Sequence, residues 1–197
     1  MTKARVAVLI SGRGSNMLAL VEAARDASYP AEIACVVSNR ADAAGLDFAA
    51  ANGIKTKLIG HKAHPTREAF EAALDLHLRS MNIDIIACAG FMRILTAGFI
   101  SGWAGRMINI HPSLLPAYKG LHTHERAIAD GVKTHGCSVH QLTAELDAGP
   151  VILQAEVPVL LGDSPATLAA RVLQQEHRIY PLALAQLARQ LQLKTSI

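Results

Sequence analysis

The chain has 197 residues, 51% of them hydrophobic and 18% charged, which excludes a disordered or coiled-coil polypeptide and sets one folded domain as the expectation. The formal charge of +3 suits a small anionic ligand, but 19 Lys and Arg are interspersed with 16 Asp and Glu and only 4% of residues are aromatic, so nucleic acid is not indicated as a partner. Three separated cysteines without a C-x-x-C pair fit a reduced, cytoplasmic setting, and no apolar run approaches the roughly 20 residues of a membrane span.

The first apolar stretch is too short for a signal peptide and runs straight into glycines, so residues 5–11 (RVAVLIS) read as a buried strand, 11–15 as a glycine loop and 16–26 as a helix. Residues 33–38, an alanine-rich helix closed by Gly53 and a short strand near 56–59 repeat the unit. Thr66, with Glu68 and Glu71 nearby, opens a helix on which Phe70, Leu74, His77, Leu78 and Met81 keep helical spacing, ending near Asn82. Two further buried strands, 83–89 and 107–111, are separated by the GFMRIL turn and a short helix over 97–103. A long loop over 112–120, of a length that is usually functional when it is ordered, leads into a helix over 122–130. Strands 138–142 and 151–157 pair around an ELDAGP turn, and Ser164 or Pro165 opens a final helix that Pro181 is expected to kink or interrupt. Strands alternating with helices predict a single-domain, Rossmann-like α/β fold with a largely parallel sheet.

Ser11-Gly12-Arg13-Gly14-Ser15-Asn16 lies between the first strand and the first helix, where backbone N–H groups and a helix N-terminus can hold a phosphate; a plain turn capped by Ser15 competes with that reading. A dinucleotide fingerprint is disfavoured, because Met17 stands where its third glycine belongs and the second strand ends in Ser38-Asn39-Arg40 rather than an acid. Asn109 and His111 project to one face of a strand that has little reason to carry polar side chains, and Pro112 ends that strand at the edge where open α/β sheets bind ligands. Asp147 is ordinary turn chemistry unless the fold brings it to His111, where its charge would favour the imidazolium. His122, His124, His135 and His140 complete no tetrahedral set, so no metal is expected. Glu176 shares the i, i+4 row of Leu168 and Val172, and either faces inward or snorkels to an Arg or water.

Together the motifs resemble the phosphoribosylglycinamide formyltransferases. The likeness covers nearly the whole chain: ISGRGSN at 10–16, VVSNRADAAGL at 36–46, AGFMRIL at 89–95, INIHPSLLPAYKGLHTH at 108–124, GCSVHQLTAELDAGPVILQAEVPV at 136–159 and QEHRIYP at 175–181. It implies a mostly parallel, seven-stranded mixed sheet with helices on both faces. It also implies transfer of a formyl group from the cosubstrate 10-formyltetrahydrofolate to the amine of glycinamide ribonucleotide, through a tetrahedral intermediate. Asn109, His111 and Asp147 match catalytic positions, with protonated His111 and the Asn109 amide as oxyanion donors. Gly14, Ser15, Asn16 and Glu176 match phosphoribosyl-binding positions. Arg67, Met92, Arg93, Ile94 and Leu95 match folate-site positions, and Ala144, Glu145 and Leu146 belong to a loop closing over the pteridine. The formyltransferase domain is expected over 1–190, with a phosphate-binding half to about 105, a catalytic and folate-loop half from 106, and a short tail over 191–197. Methionyl-tRNA formyltransferases and formyltetrahydrofolate hydrolases carry a further domain for which this length has no room. Partners are expected to be small molecules, in a monomer or homodimer.

Overall fold

Residues 4–10 are apolar at every position but Arg5, as a strand buried on both faces requires: Val6, Val8 and Ile10 join one core layer, Ala7 and Leu9 the other. The computed structural model describes residues 2–195. This strand, β1 (Ala4–Ile10), is followed by β2 (Ala31–Ser38), β3 (Lys55–Leu58), β4 (Ile85–Cys88), β5 (Met107–His111), β6 (Thr134–Gln141) and β7 (Val151–Pro158). They form one sheet in the order β3-β2-β1-β4-β5-β6-β7, parallel through β5 and antiparallel at β6 and β7. The chain leaves β3 and returns on the far side of β1 as β4, so the topological switch point lies at the C-terminal ends of β1 and β4, where sheets of this kind open a crevice.

Helices α1 (Ser15–Ala24), α2 (Ala44–Ala51), α3 (Arg67–Ser80), α4 (Ala97–Gly102), α5 (Thr123–Ala129) and α6 (Pro165–Thr195) cover both faces. Met17, Leu20 and Val21 of α1 pack with Leu168, Val172, Ile179 and Leu184 of α6 in one layer; Phe70, Leu74 and Leu78 of α3 pack with Phe99, Ile100 and Trp103 in the other. Thr66 caps α3 by accepting the Ala69 N–H at 3.1 Å, as its position before the periodic run predicts. Cys35, Cys88 and Cys137 are free and buried. None of the described helices is long and apolar enough to cross a membrane.

Two boundaries differ from the sequence-based expectation by more than two residues. Strand β6 starts at Thr134 rather than Ser138, because His135, Gly136 and Cys137 pair with Val157, Glu156 and Ala155 of β7. Helix α6 runs unbroken past Pro181 and continues through Thr195, so residues 191–195 extend a helix instead of starting a tail, and residues 196 and 197 lie outside the described chain. Proline forfeits one helical hydrogen bond. On both sides of it, Tyr180, Ala183 and Leu184 are buried against the sheet, and the Tyr180 hydroxyl donates to the Cys88 carbonyl at 2.7 Å. Packing therefore holds the helix together where local propensity would end it.

Candidate active site

Met107, Asn109 and His111 share one face of β5, that of the α3 and α4 layer, because residues two apart in a strand point the same way. The antiparallel register sets His140 opposite Asn109 and Ser138 opposite His111, so four polar side chains meet on that face. The turn after β6 then brings Asp147 back onto them. Its Oδ2 stands 3.5 Å from His111 Nδ1 and accepts the Gly120 N–H at 2.9 Å, while its Oδ1 stands 3.5 Å from His140 Nε2. The side chains of His111 and Asp147 are only 7% and 9% exposed.

Hydrogen-bond chemistry assigns the tautomers. His111 Nε2 lies 2.9 Å from the Tyr118 carbonyl, which can only accept, so the neutral ring carries its proton there and turns a bare Nδ1 toward Asp147. His140 Nδ1 lies 3.0 Å from the Gln141 carbonyl, which leaves Nε2 to accept from Asn109 Nδ2 at 3.3 Å. His140 thus orients the Asn109 amide and leaves its second N–H without a partner among the described residues.

Burial pushes His111 below its ordinary value, and this outweighs the upward pull of the Tyr118 carbonyl and of the Asp147 carboxylate. Asp147 does favour the imidazolium, as its charge predicts, but the sum has the opposite sign and the free protein holds His111 neutral. For Asp147 itself burial acts upward and is outweighed by the polar groups that face it, the Gly120 N–H among them, so the carboxyl lies below its ordinary value and is ionised.

The segment that carries the Tyr118 carbonyl, residues 112–122, is tied down by side chains. Ser138 Oγ donates to the Ser113 carbonyl at 2.6 Å and accepts the Leu115 N–H at 3.0 Å, Gln154 Nε2 donates to the Leu115 carbonyl at 2.9 Å, and Thr123 Oγ1 to the Pro112 carbonyl at 2.7 Å. Tyr118 itself takes a left-handed φ of 53°.

The turn that carries Asp147 is held by close backbone packing. Asp147 has a φ of 47°, and two residues on, a Cβ at Gly149 would stand 1.8 Å from the Gln141 carbonyl oxygen and 2.9 Å from its carbon. Only glycine fits there. Gly149→Ala is expected to lower the unfolding free energy by about 2 kcal/mol in a urea titration, the scale of overpacking, and to reduce turnover by shifting Asp147. Parental stability in that variant would show that the turn yields freely.

A cleft of about 580 Å³ opens beside this cluster and is lined by Asn109, His111 and Asp147. Met92, Arg93, Ile94 and Leu95 form one wall and Ala144, Glu145 and Leu146 another, while Leu121 and His122 line it from the segment before α5 and His124 from the first turn of α5. Arg67 is exposed at the first turn of α3 and is not among the cleft-lining residues.

A second cluster sits at the same sheet edge, after β1. Gly14, with φ 71°, starts α1. Asn16 Nδ2 donates to Glu176 Oε2 at 2.7 Å, and Asn16 Oδ1 is buried without a partner among the described residues. Glu176 therefore faces inward, as its i, i+4 row allows, with Asn16 rather than an Arg as its partner. Burial pushes its carboxyl up, against the pull of Asn16. These residues do not line the cleft.

Sequence reasoning missed His140, which it weighed only as a metal ligand, and the backbone groups of Tyr118 and Gly120. Alternation within β6 was the available signal for His140. Among the described residues no three His, Cys, Asp or Glu side chains converge as a metal set. His124 and His135 instead stack edge to face with ring centroids 5.2 Å apart, and burial, His124 foremost among the neighbours, pushes His135 down to about 4.

Comparison with known proteins bears on this geometry. The formyl transferase family model matches residues 4–184. The phosphoribosylglycinamide formyltransferase of Escherichia coli (strain K12) is 49% identical over 180 residues, 91% of this chain and 85% of that protein. The trifunctional purine biosynthetic protein adenosine-3 of Homo sapiens is 52% identical over 182 residues, 92% of this chain and 18% of that protein. This chain spans less than a fifth of the length of such trifunctional relatives. The crystal structure of phosphoribosylglycinamide formyltransferase from Brucella melitensis aligns with a TM-score of 0.92 at 51% identity, over 95% of this chain and 96% of that one.

Proposed function

The chain belongs to the formyl transferase family, and from that premise we propose that it is a phosphoribosylglycinamide formyltransferase, moving the formyl group of 10-formyltetrahydrofolate to the amine of glycinamide ribonucleotide. The observation that carries this is the convergence of Asn109, His111 and Asp147 on one face at the edge of a cleft with an apolar wall. Formyl transfer needs a donor for a developing oxyanion and a proton carrier between two nitrogens, and little else from the protein.

The amine lone pair attacks the formyl carbon, and the carbonyl electrons move onto oxygen. The free N–H of Asn109, held in aim by His140, donates to that oxyanion. His111 Nδ1 takes the proton that the attacking nitrogen sheds, directly or through a water. The imidazolium so formed lies between two acceptors, the Tyr118 carbonyl and the Asp147 carboxylate. On collapse the bond from the formyl carbon to folate N10 breaks, its electrons stay on N10, and the proton from His111 neutralises it, so tetrahydrofolate leaves with the hydrogen the amine gave up. The role of His111 is thus proton carriage from a neutral resting state, rather than donation from an imidazolium present at the outset.

In this proposal residues to about 105 carry the phosphate side and residues 106–190 the catalytic side. The N-terminus of α1 at Gly14, Ser15 and Asn16 takes the ribonucleotide phosphate, Glu176 its ribose, and the walls over 92–95 and 144–146 the pteridine. Arg67, exposed at the first turn of α3, is left for the acidic tail of the folate. The test follows the absorbance change of a 10-formyl folate with glycinamide ribonucleotide present or omitted. Turnover that requires the ribonucleotide is the expected result; turnover without it would assign a hydrolase, and none at all would leave a binding module.

A further inference from the structure

The cleft wall over residues 91–95 has no regular secondary structure, and Met92 and Ile94 are 66% and 63% exposed. Phe91 and Leu95 pack against the core layer of α3 and α4, so the exposed stretch between them depends for its backbone position on the hydrogen bonds that tie it down. At one end Glu71 of α3, itself buried, accepts the Thr96 N–H at 2.7 Å and the Thr96 hydroxyl. At the other end the tie is Ser11. Its hydroxyl accepts the Met92 N–H at 2.8 Å, and its own N–H donates to the Gly90 carbonyl at 3.1 Å. Among the described residues the Met92 N–H is the one backbone donor of 91–95 that reaches a partner.

The Ser11 hydroxyl is itself directed. It donates to Asn39 Oδ1 at 2.6 Å, which spends its single proton and turns its lone pairs toward Met92. Ser11 and Asn39 are both buried. The bonds therefore form a chain of one polarity across the ends of β2, β1 and β4, at the topological switch point. Ser11 lines no part of the cleft.

We propose that Ser11 is a positioning residue for the formyl donor, holding the 90–92 backbone in the place that shapes the cleft wall. This rests on the reading of the cleft as the donor's site. The neighbouring glycine loop does not depend on the hydroxyl, because Gly12 is held through its carbonyl by the Gly45 N–H at 3.2 Å. The two substrates should consequently respond differently to loss of that one oxygen.

In Ser11→Ala the Met92 N–H has no acceptor, and the wall loses one anchor of two. The Michaelis constant for 10-formyltetrahydrofolate is expected to rise about five- to tenfold, the worth of one hydrogen bond, with kcat within about threefold and the ribonucleotide constant within about twofold. Calorimetric titration with tetrahydrofolate alone should weaken by the same factor. Asn39→Ala keeps the hydroxyl but removes its direction, and is expected to move the donor constant the same way by about two- to threefold.

A merely structural Ser11 would raise both Michaelis constants together, and that result overturns the proposal, as does an unchanged donor constant in a folded variant. If Ser11→Ala does not fold, Asn39→Ala decides on the same criterion. Wild-type protein that binds tetrahydrofolate but does not formylate the ribonucleotide refutes the proposed acceptor and leaves the Ser11 comparison decisive through calorimetry. Wild-type protein that binds no tetrahydrofolate overturns both.

Discussion

His111→Ala is expected to lower kcat about a thousandfold while the fold survives, because the proposed mechanism has this ring carry the proton between the two nitrogens and proton transfer of this kind contributes about 10²–10⁴. What remains is attack assisted by Asn109 alone. Structurally the substitution is mild. His111 ends β5 at the cleft, so its removal opens space continuous with solvent instead of a closed cavity, and strands the Tyr118 carbonyl where water can reach it. Circular dichroism and the urea midpoint should stay close to the parent. Added imidazole should restore part of the single-turnover rate, since the vacated volume adjoins the cleft. A kcat within about tenfold of the parent would assign the proton to another carrier, and a collapsed urea midpoint would make His111 a core residue.

Much of this arrangement was legible in residue types and spacing. The same-face pair Asn109 and His111 follows from strand periodicity, and the apolar residues around it mark that strand as buried in the sheet. What lay beyond reach depended on register or on backbone groups. His140 is one of several histidines until β6 is aligned with β5, and only then stands against Asn109. The Tyr118 carbonyl and the Gly120 N–H, which set the His111 tautomer and hold Asp147, leave no trace in side-chain chemistry at all.

The two misplaced boundaries have related causes. His135-Gly136 looks like loop, yet a Cβ at Gly136 would stand 2.0 Å from the Ala155 carbonyl oxygen, so the glycine marks close strand approach. Pro181 carries a strong local signal against helix, and the burial of its neighbours overrides it. The net direction of the His111 shift was out of reach for a similar reason. A charge pair could be guessed from the sequence, but the burial that outweighs it belongs to the folded cleft.

Asp147→Asn separates the carboxylate's charge from its place in the turn. The amide keeps an oxygen for the Gly120 N–H, so the turn should hold, but the imidazolium formed during transfer loses its charged partner. We expect kcat to fall about a hundred- to a thousandfold, comparable to removing one electrostatic element from a preorganised site. The pH profile carries the sharper test. With His111 as the proposed proton carrier, kcat/KM in the parent requires the neutral ring, so activity is expected to be full above its pKa and lost as pH falls through it, with that limb below the ordinary 6.5 because burial dominates. The Asp147 charge acts upward on this histidine, so removing it lowers the His111 pKa further and moves the acid limb of the residual activity to lower pH. A limb that moves to higher pH, or stays in place while kcat falls, would mean that Asp147 acts on some group other than His111.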